Sequence, residues 1–516
     1  MFENIDAIDN NSIDADICIV GTGPAGITLA RELIASKLRV VVLESGSLEF
    51  EEETQELYSG EILDELPPVS LDTSRLRYFG GTSNHWGGSS GPLSEIDFQQ
   101  RSWVPHSGWP ISRKELDPYY ERAHKIIGLG PFNFSPEFWN KGPNGKNLYK
   151  LDGTSIEHRV RQVHAQRFGE VYRTELKRAK NIQVIFHANL TKISANESGS
   201  KVETLEVRSL SGKTVIVTAN KIVLACGGIE NARLLLASGF GERLPAIGRY
   251  YSFHPRITTA QFIMSKKMDS KNNPYDWHKV NDTRIKYQFG LIESAQISKQ
   301  LPNYGAIINE ARMPDTVGYS AAKRLNARLN GRHGFGGTFD DLYDVIADVG
   351  GATSQWSRRH NDHTFSLMSL DTYIDQAPHP ESRVSLSNEL DALGVRRSKI
   401  SWTYYDFERN SVRKFNETLA LAFGSGGLGR LKLNAGINDD AMFRDKIGDI
   451  SGGGHQIGTT RMSVDQQFGV VDSNCKIHGI ENIYCAGSSV FTTSGWMNPT
   501  ATIVALAARL ADHLVE

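Results

Sequence analysis

Ile17-Cys-Ile-Val20, Gly21-Thr-Gly-Pro-Ala-Gly26, Ile27-Thr-Leu-Ala-Arg-Glu-Leu-Ile-Ala35 and Val40-Val-Val-Leu43, closed by Glu44, decide the fold of this 516-residue chain. The first run is short and apolar, as in a strand buried on both faces. Glycines 21, 23 and 26 open a turn, the next run has apolar residues at helical spacing, and the last run ends on an acid. Strand, turn, helix and strand within about 30 residues make a βαβ unit, and Glu44 falls near the ~20-residue offset at which such units place a ribose-binding acid. The glycines let the backbone approach a pyrophosphate seated at the helix N-terminus. Glu44 can accept from both hydroxyls of an adenosine ribose and disfavours a 2'-phosphate. A dinucleotide is expected here, held by Gly21, Gly23, Gly26 and Glu44, and at this point it is either FAD or NAD.

Beyond that unit, Val184-Ile-Phe186, the run from Val202 to Val207 and Val215-Ile-Val217 read as a β-meander. It is closed by Ile222-Val-Leu-Ala-Cys-Gly-Gly228 and the helix-like Ala232 to Ala237, feeding back into the parallel sheet. From about Ser252 to Asp449 strand runs mix with two candidate helices, around Ala321 to Leu329 and Phe339 to Val349, and this stretch is expected to cover a substrate. Ile483-Tyr-Cys-Ala-Gly487, with a helix from Pro499 to Leu514, is expected to return to the first domain. A second GxGxxG, Gly424-Ser-Gly-Gly-Leu-Gly429, follows a helix-like run and precedes the strand-like Leu431-Lys-Leu433. That order is inverted, so a glycine-capped helix end explains it better than a second nucleotide site.

Composition removes several classes of function. Lys and Arg total 57 against 59 Asp and Glu, a formal net charge of -2, so there is no global positive field for nucleic acid or an anionic membrane. Hydrophobic residues at 39% and charged residues at 22% fit a globular chain of roughly three domain-sized units. The four cysteines form no CxxC pair and no disulfide framework is expected. The acidic N-terminus lacks the basic start of a secretion signal, and Ala501 to Ala508, the longest mostly apolar helical run, is far short of the ~20 residues that span a bilayer. A cytoplasmic protein without a transmembrane segment is expected.

Eight collinear pieces then carry a family resemblance. They are the GTGPAG turn, Phe79-Gly-Gly-Thr-Ser-Asn-His-Trp-Gly-Gly88, Gly108-Trp-Pro-Ile111 with Tyr119-Tyr120, Ala225-Cys-Gly-Gly-Ile-Glu-Asn-Ala232, Gly248-Arg-Tyr250 with His254-Pro255, Pro380-Glu-Ser-Arg-Val384, His455-Gln-Ile-Gly-Thr459 and Asn498-Pro-Thr500. Running in order from Asp14 to Leu514, they resemble the glucose-methanol-choline (GMC) flavoprotein oxidoreductases, nearest the pyranose oxidases and the large subunits of bacterial sugar and polyol dehydrogenases. The resemblance implies an α/β protein: a Rossmann-like FAD-binding domain from 14–251 and 450–516, with an inserted α+β substrate-binding domain at 252–449.

It implies FAD with its ADP half on the βαβ unit. Gly80, Gly81, Thr82, Ser83 and Asn84 would line the flavin, and Gly487, Ser488, Asn498 and Thr500 would flank it from the other side. Ser488 stands where many flavoproteins carry Asp near the ribityl chain. His85 matches the position at which fungal pyranose oxidases attach flavin covalently, though their Ser-Thr-His-Trp reads Ser83-Asn-His-Trp86 here. A covalent link at His85 therefore stands beside a merely packed or hydrogen-bonding histidine.

His455 and Asn498 are the catalytic candidates. Taking hydride from a carbinol carbon builds positive charge there unless the hydroxyl proton also leaves, and a neutral imidazole is a suitable acceptor. His455 would be that base, and Asn498 would hold the same hydroxyl. The activity implied is oxidation of an alcohol carbon of a sugar, glycoside or cyclitol to a carbonyl. Oxygen, a quinone or a redox partner would take the electrons. A nicotinamide-dependent dehydrogenase and a non-catalytic flavin-bearing interaction protein are the rivals. His254 and His379, each beside a proline, read as turn or domain-contact residues, and no metal is expected because no second ligand stands at zinc-like spacing. Tyr373, Gln376 and the loop around Trp356 are candidates to face the substrate. The basic face of the helix from Ala321 to Leu329 reads as a solvated surface.

Overall fold

The β-branched residues of Ser12–Val20 and Val40–Leu43 pair in parallel, Ile17 opposite Val40 and Val20 opposite Leu43. Ile17 to Val20 and Val40 to Leu43 are almost wholly buried, with helix Pro24–Glu32 packed against both strands. Each buried aliphatic side chain contributes roughly 1.5–3 kcal/mol relative to exposure. These features come from a computed structural model that describes residues 1–63, 71–141, 148–151, 153–310, 316–329, 338–361, 364–434 and 454–516.

The first sheet runs Phe2–Asn4, Ile182–Phe186, Val40–Leu43, Ser12–Val20, Thr214–Leu224, Val202–Arg208 and Asn189–Ala195. The last three strands form an antiparallel meander, but Val184-Ile-Phe186, expected to begin it, instead belongs to the parallel part of the sheet between Phe2–Asn4 and Val40–Leu43, and Asn189–Ala195 takes its place. Thr214–Leu224 changes partner along its length. Its first half pairs with Val202–Arg208, and its end, from Ile222, pairs in parallel with Ile483–Cys485. The C-terminal chain thus returns to the first sheet before entering the helix Thr500–Val515, which packs on Pro24–Glu32 and Arg113–Ile127. Asn231 fastens this return. Its Nδ2 donates to the Leu224 and Ala486 carbonyls at 3.1 Å and to Ser489 Oγ at 2.9 Å, while its Oδ1 accepts from the Cys226 N–H.

The second sheet is antiparallel, in the order Gly429–Leu433, Arg256–Asp269, Thr364–Tyr373, Gly305–Glu310, Thr283–Leu291, Ile156–Val163 and Ser89–Ser90. Ile156–Val163 and Ser89–Ser90 come from within the 14–251 stretch; they pair with each other, and Ile156–Val163 pairs on its other edge with Thr283–Leu291. The expected boundary at 449 lies outside the described residues. Helix Asp406–Ser425 covers one face through Phe415, against Tyr304, and Phe423, against Phe262 and Phe289. It ends at Gly424 to Gly429, where Gly427 and Gly429 have positive φ and the Gly426 N–H bonds the Ala422 carbonyl. The second GxGxxG is a helix end leading into a strand. The candidate helices of the middle region occur as Val317–Leu329 and Thr338–Ala347. No helix among the described residues is long and apolar enough to cross a membrane.

Candidate active site

A cavity of about 830 Å³ runs from the βαβ turn to the second sheet. At one end it is lined by Gly21, Gly23 and Glu44, in the middle by Gly81, Thr82, Ser83, His85, Gly487 and Ser488, and at the other end by Asn498, Thr500, His455, His254 and Arg161. Residues from both ends of the sequence meet here because the strand Ile483–Cys485 and the helix Thr500–Val515 are joined by a loop beside the first sheet.

The turn fits a pyrophosphate through its backbone. Gly21 has φ +101°, and a Cβ there would meet the Ala225 carbonyl oxygen at 2.8 Å. A Cβ on Gly23 meets nothing, so this position is open to the cavity at the start of helix Pro24–Glu32. Glu44 is fixed by the Thr22 N–H on Oε2 (3.1 Å) and the Gly46 N–H on Oε1 (2.9 Å), with the Thr22 and Ser45 hydroxyls as further donors. The two hydroxyl donors are the ones that a ribose diol would replace. Gly26, Gly80 and Asn84 do not line the cavity. A Cβ on Gly26 would overlap the Gly21 oxygen, so its place is under the turn. Gly80, at φ +99°, packs against the Asn84 side chain, whose Nδ2 donates to the Phe79 carbonyl.

The Thr82 to Gly88 segment is clamped by Arg167, whose Nη1 donates to the Ser83 and Trp86 carbonyls at 2.9 Å. His85 is left at the cavity surface, where burial of its ring and the Arg167 charge lower its pKa. Ser488 lines the wall, but its hydroxyl donates to the Gln456 carbonyl at 2.6 Å, tying its loop to the residue after His455.

His455 Nδ1 is buried without a hydrogen-bond partner among the described residues. Desolvation, and then the positive charge of Arg161, push this imidazole down to about 4, so it is neutral near pH 7. Its ring lies 5.6 Å from that of His254, which is itself held well below its ordinary value by burial, then by His455 and Arg161. Neither His254 nitrogen makes a close hydrogen bond among the described residues, though the Gly495 backbone acts on the ring in the opposite sense to burial. Asn498 Oδ1 accepts from Arg161 Nη1 at 3.0 Å, and Arg161 Nη2 donates to the Trp496 carbonyl at 3.1 Å. The same loop is pinned by Asp375, which accepts from the Gly495 N–H and pairs with buried Arg101. With its oxygen turned to a cation, Asn498 presents its amide N–H groups as donors.

Sequence reasoning missed Arg161 and placed His254 away from the site. Arg161 sits in Arg159-Val-Arg-Gln-Val163, a stretch without a motif whose position only the pairing with Thr283–Leu291 reveals. Tyr373 does line the cavity, under the Arg161 guanidinium at 3.9 Å. Gln376 does not; its oxygen is bonded by Ser252 and Trp402. Trp356 lies exposed on a helix, and His379 accepts from the Glu381 N–H in a turn. Among the described residues no group of three or more His, Cys, Asp or Glu side chains gathers as a metal site.

Two family models, both described as GMC oxidoreductase, match residues 159–256 and 378–507, and these stretches contain Arg161, His254 and His455 together with Asn498. The 2-methyl-1,2-propanediol dehydrogenase of Mycolicibacterium austroafricanum is 20% identical over 97% of this chain and 95% of its own. The 6'''-hydroxyparomomycin C oxidase of Streptomyces lividus is 23% identical over 97% of this chain and 92% of its own. In three dimensions the pyridoxine 4-oxidase of Mesorbium loti superposes with a TM-score of 0.55 at 17% identity, covering 96% of this chain and 98% of that one, which establishes a shared fold.

Proposed function

We propose that this chain, which belongs to the GMC oxidoreductase family and is an FAD-dependent oxidoreductase acting on CH–OH groups, oxidises a polyhydroxylated alcohol such as a sugar, glycoside or cyclitol, with His455 as general base. The observation that carries the assignment of roles is the pairing of an unpartnered, neutral imidazole at His455 with an Asn498 whose oxygen is occupied by Arg161. The diol and aminoglycoside named for two relatives support a substrate with several hydroxyls.

FAD, when bound, supplies the hydride acceptor. Gly21, Gly23 and Glu44 would hold its ADP half, and Gly81, Thr82, Ser83, His85, Gly487, Ser488, Asn498 and Thr500, which line the same cavity, would surround the rest. Gly26, Gly80 and Asn84 support it by shaping the turns behind these residues. The loop from Ser83 to Trp86 is fixed by Arg167, so His85 is presented to the cavity in a set position. Heat- or acid-denatured protein that keeps its yellow chromophore on the polypeptide would establish a covalent bond at His85; complete release would reject it.

His455 takes the hydroxyl proton as hydride leaves the carbinol carbon, which avoids an oxocarbenium-like charge. Asn498 donates to the same oxygen and orients the C–H, a positioning contribution. His254 lines the same end of the cavity as a second buried, neutral ring 5.6 Å from that of His455. The test is an anaerobic spectral titration of the purified protein with sugars, glycosides, polyols and simple alcohols, followed by air. Bleaching of an oxidised-flavin spectrum by a polyhydroxylated alcohol supports the reading, and bleaching by no member of the panel opposes it. The speed at which colour returns separates an oxidase from a dehydrogenase that uses a quinone or a redox partner.

A further inference from the structure

The second sheet turns an unusual face toward the cavity. In the pairing of Ile156–Val163 with Thr283–Leu291, Arg161 stands directly opposite Lys286, and Arg284 follows Lys286 on the same side two residues earlier. Across the sheet, Arg256 stands opposite Tyr373. Like charges directly opposite one another on a sheet are destabilising. Both members of the Arg161 and Lys286 pair are also buried. Desolvation is the main reason that Lys286 is pushed down to about 8, and the Arg161 charge adds to it.

The local acids do not balance this face. Asp371 is 3.8 Å from Arg256 and is further occupied by Thr258 and Asn309. Asp276 acts on Lys286. Among the described residues neither Arg161 nor Arg284 has a carboxylate within ion-pair distance. Arg161 leans on Gln288 Oε1, Asn498 Oδ1, the Trp496 carbonyl and the Tyr373 ring, all neutral partners. Arg284 is exposed and lies 5.4 Å from the Trp277 ring. Arg161, Arg256 and Arg284 all line the cavity, one buried, one half-buried and one exposed, so the positive charge runs inward toward His455.

A fold that loses stability by facing cations together, with Asp371 set against Arg256 but no carboxylate on Arg161 or Arg284 among the described residues, does so where a ligand supplies the missing charge. The pyrophosphate-binding turn at Gly21 is at the other end of the cavity, on the first sheet. We infer that the alcohol substrate itself is anionic, carrying a carboxylate or phosphate that Arg161, Arg256 and Arg284 receive on the second sheet while its hydroxyl meets His455 and Asn498. This rests on the alcohol-oxidation reading above. The planar guanidinium fork recognises either anion in a bidentate manner, and Trp277 offers an apolar face to the carbon skeleton between them.

The test uses the purified flavoprotein under anaerobic conditions with matched pairs: D-glucose against D-glucuronate, D-sorbitol against D-gluconate, and D-glucose against D-glucose 6-phosphate. The quantities read are the concentration for half-maximal bleaching and the concentration for half-maximal perturbation of the oxidised spectrum at early times. The anionic member of at least one pair is expected to half-saturate at a ~10-fold lower concentration or better, as for a charge-assisted contact. The pairs themselves decide between carboxylate and phosphate. Arg284→Gln, at the exposed end of the cluster, is expected to narrow the ratio to within ~3-fold, and added salt to weaken the anionic member alone. Neutral members that half-saturate as tightly as the anionic ones overturn the inference while leaving alcohol oxidation intact. If dithionite reduces the flavin but no member of any pair bleaches it, the alcohol reading falls and the inference falls with it.

Discussion

Arg161 Nη1 donates to Asn498 Oδ1 at 3.0 Å across 337 positions of sequence, and this contact settles which end of the amide faces the cavity. An N–H of Asn498 can therefore steady a substrate oxygen without competing for its proton. Asn498→Asp keeps size and shape but replaces that donor with an acceptor that pairs with Arg161. Flavin content is expected to be unchanged, and the rate of flavin reduction in single turnover to fall ~100-fold, the lower range for losing one donor at a reacting oxygen. A rate within threefold of the parent would remove Asn498 from the reaction.

His455→Ala is expected to retain flavin and lose at least ~100-fold in the same rate, the lower end for loss of a general base. The pH profile carries its own check. Burial and Arg161 lower this imidazole to about 4, so its basic form is complete across pH 6–8 and is lost as pH falls through about 4. Flavin reduction in the parent is expected to be flat above pH 6 and to decline in acid. An inflection near the ordinary histidine value of ~6.5 would mean that His455 is charged in part at neutral pH and is not held as described here.

Gly23 and Gly26 separate ligand binding from folding within one turn. A Cβ at residue 26 would lie 1.9 Å from the Gly21 carbonyl oxygen and 2.9 Å from its carbon, and these backbone atoms leave little room to yield. Gly26→Ala is expected to lower the melting temperature of the flavin-stripped protein, with overpacking costing ~1–3 kcal/mol or more. At Gly23 the added carbon meets no protein atom, so Gly23→Ala is expected to melt as the parent does when stripped. It should nevertheless bind FAD at least ~10-fold more weakly, because the carbon stands where the backbone must approach the pyrophosphate. Calorimetry of the stripped proteins with flavin titration checks both.

The first βαβ unit was legible because its signals are local: an apolar run, glycines at fixed offsets, helical spacing and a terminal acid all lie between Ile17 and Glu44. The C-terminal return was legible for a similar reason, since Ile483–Cys485 and Thr500–Val515 are each strongly apolar. The allocation of Ile156–Val163 to the second sheet was not, because its apolar residues, Ile156, Val160 and Val163, do not follow a strand's alternation, and only its register with Thr283–Leu291 places it. The same blindness hid Arg161. His455 and Asn498 could be named from the motifs around them, but the neighbour that adds to burial in keeping the histidine neutral and fixes the amide's direction lies in a strand without a motif. His254, read as a turn residue before Pro255, reaches the site because Ser252–Phe253 pairs with Gln456–Ile457 beside His455.

Glu230, inside the Ala225 to Ala232 motif, lines the cavity wall, and its removal is expected to cost stability. It is buried within reach of three guanidinium groups: Arg233 at 2.6 Å, Arg77 at 3.4 Å and Arg75 at 3.6 Å. Burial alone would raise its pKa, but Arg233, Arg77 and Arg75 outweigh burial and hold the carboxyl at about 2. Glu230→Gln leaves the three cations with Asp391, which reaches only Arg233 at 2.5 Å. Breaking a buried pair on one side costs ~3–5 kcal/mol, and urea unfolding at pH 7 is expected to show a loss of that order. The sign with pH follows from the depressed carboxyl. Its contribution is complete above the unfolded value of 4.5 and is lost as pH falls through about 2. The stability gap between parent and variant is therefore expected to shrink between pH 4.5 and 2, by on the order of 3 kcal/mol. A gap that stays constant across that range would show that the carboxylate charge is not what steadies Arg75 and Arg77.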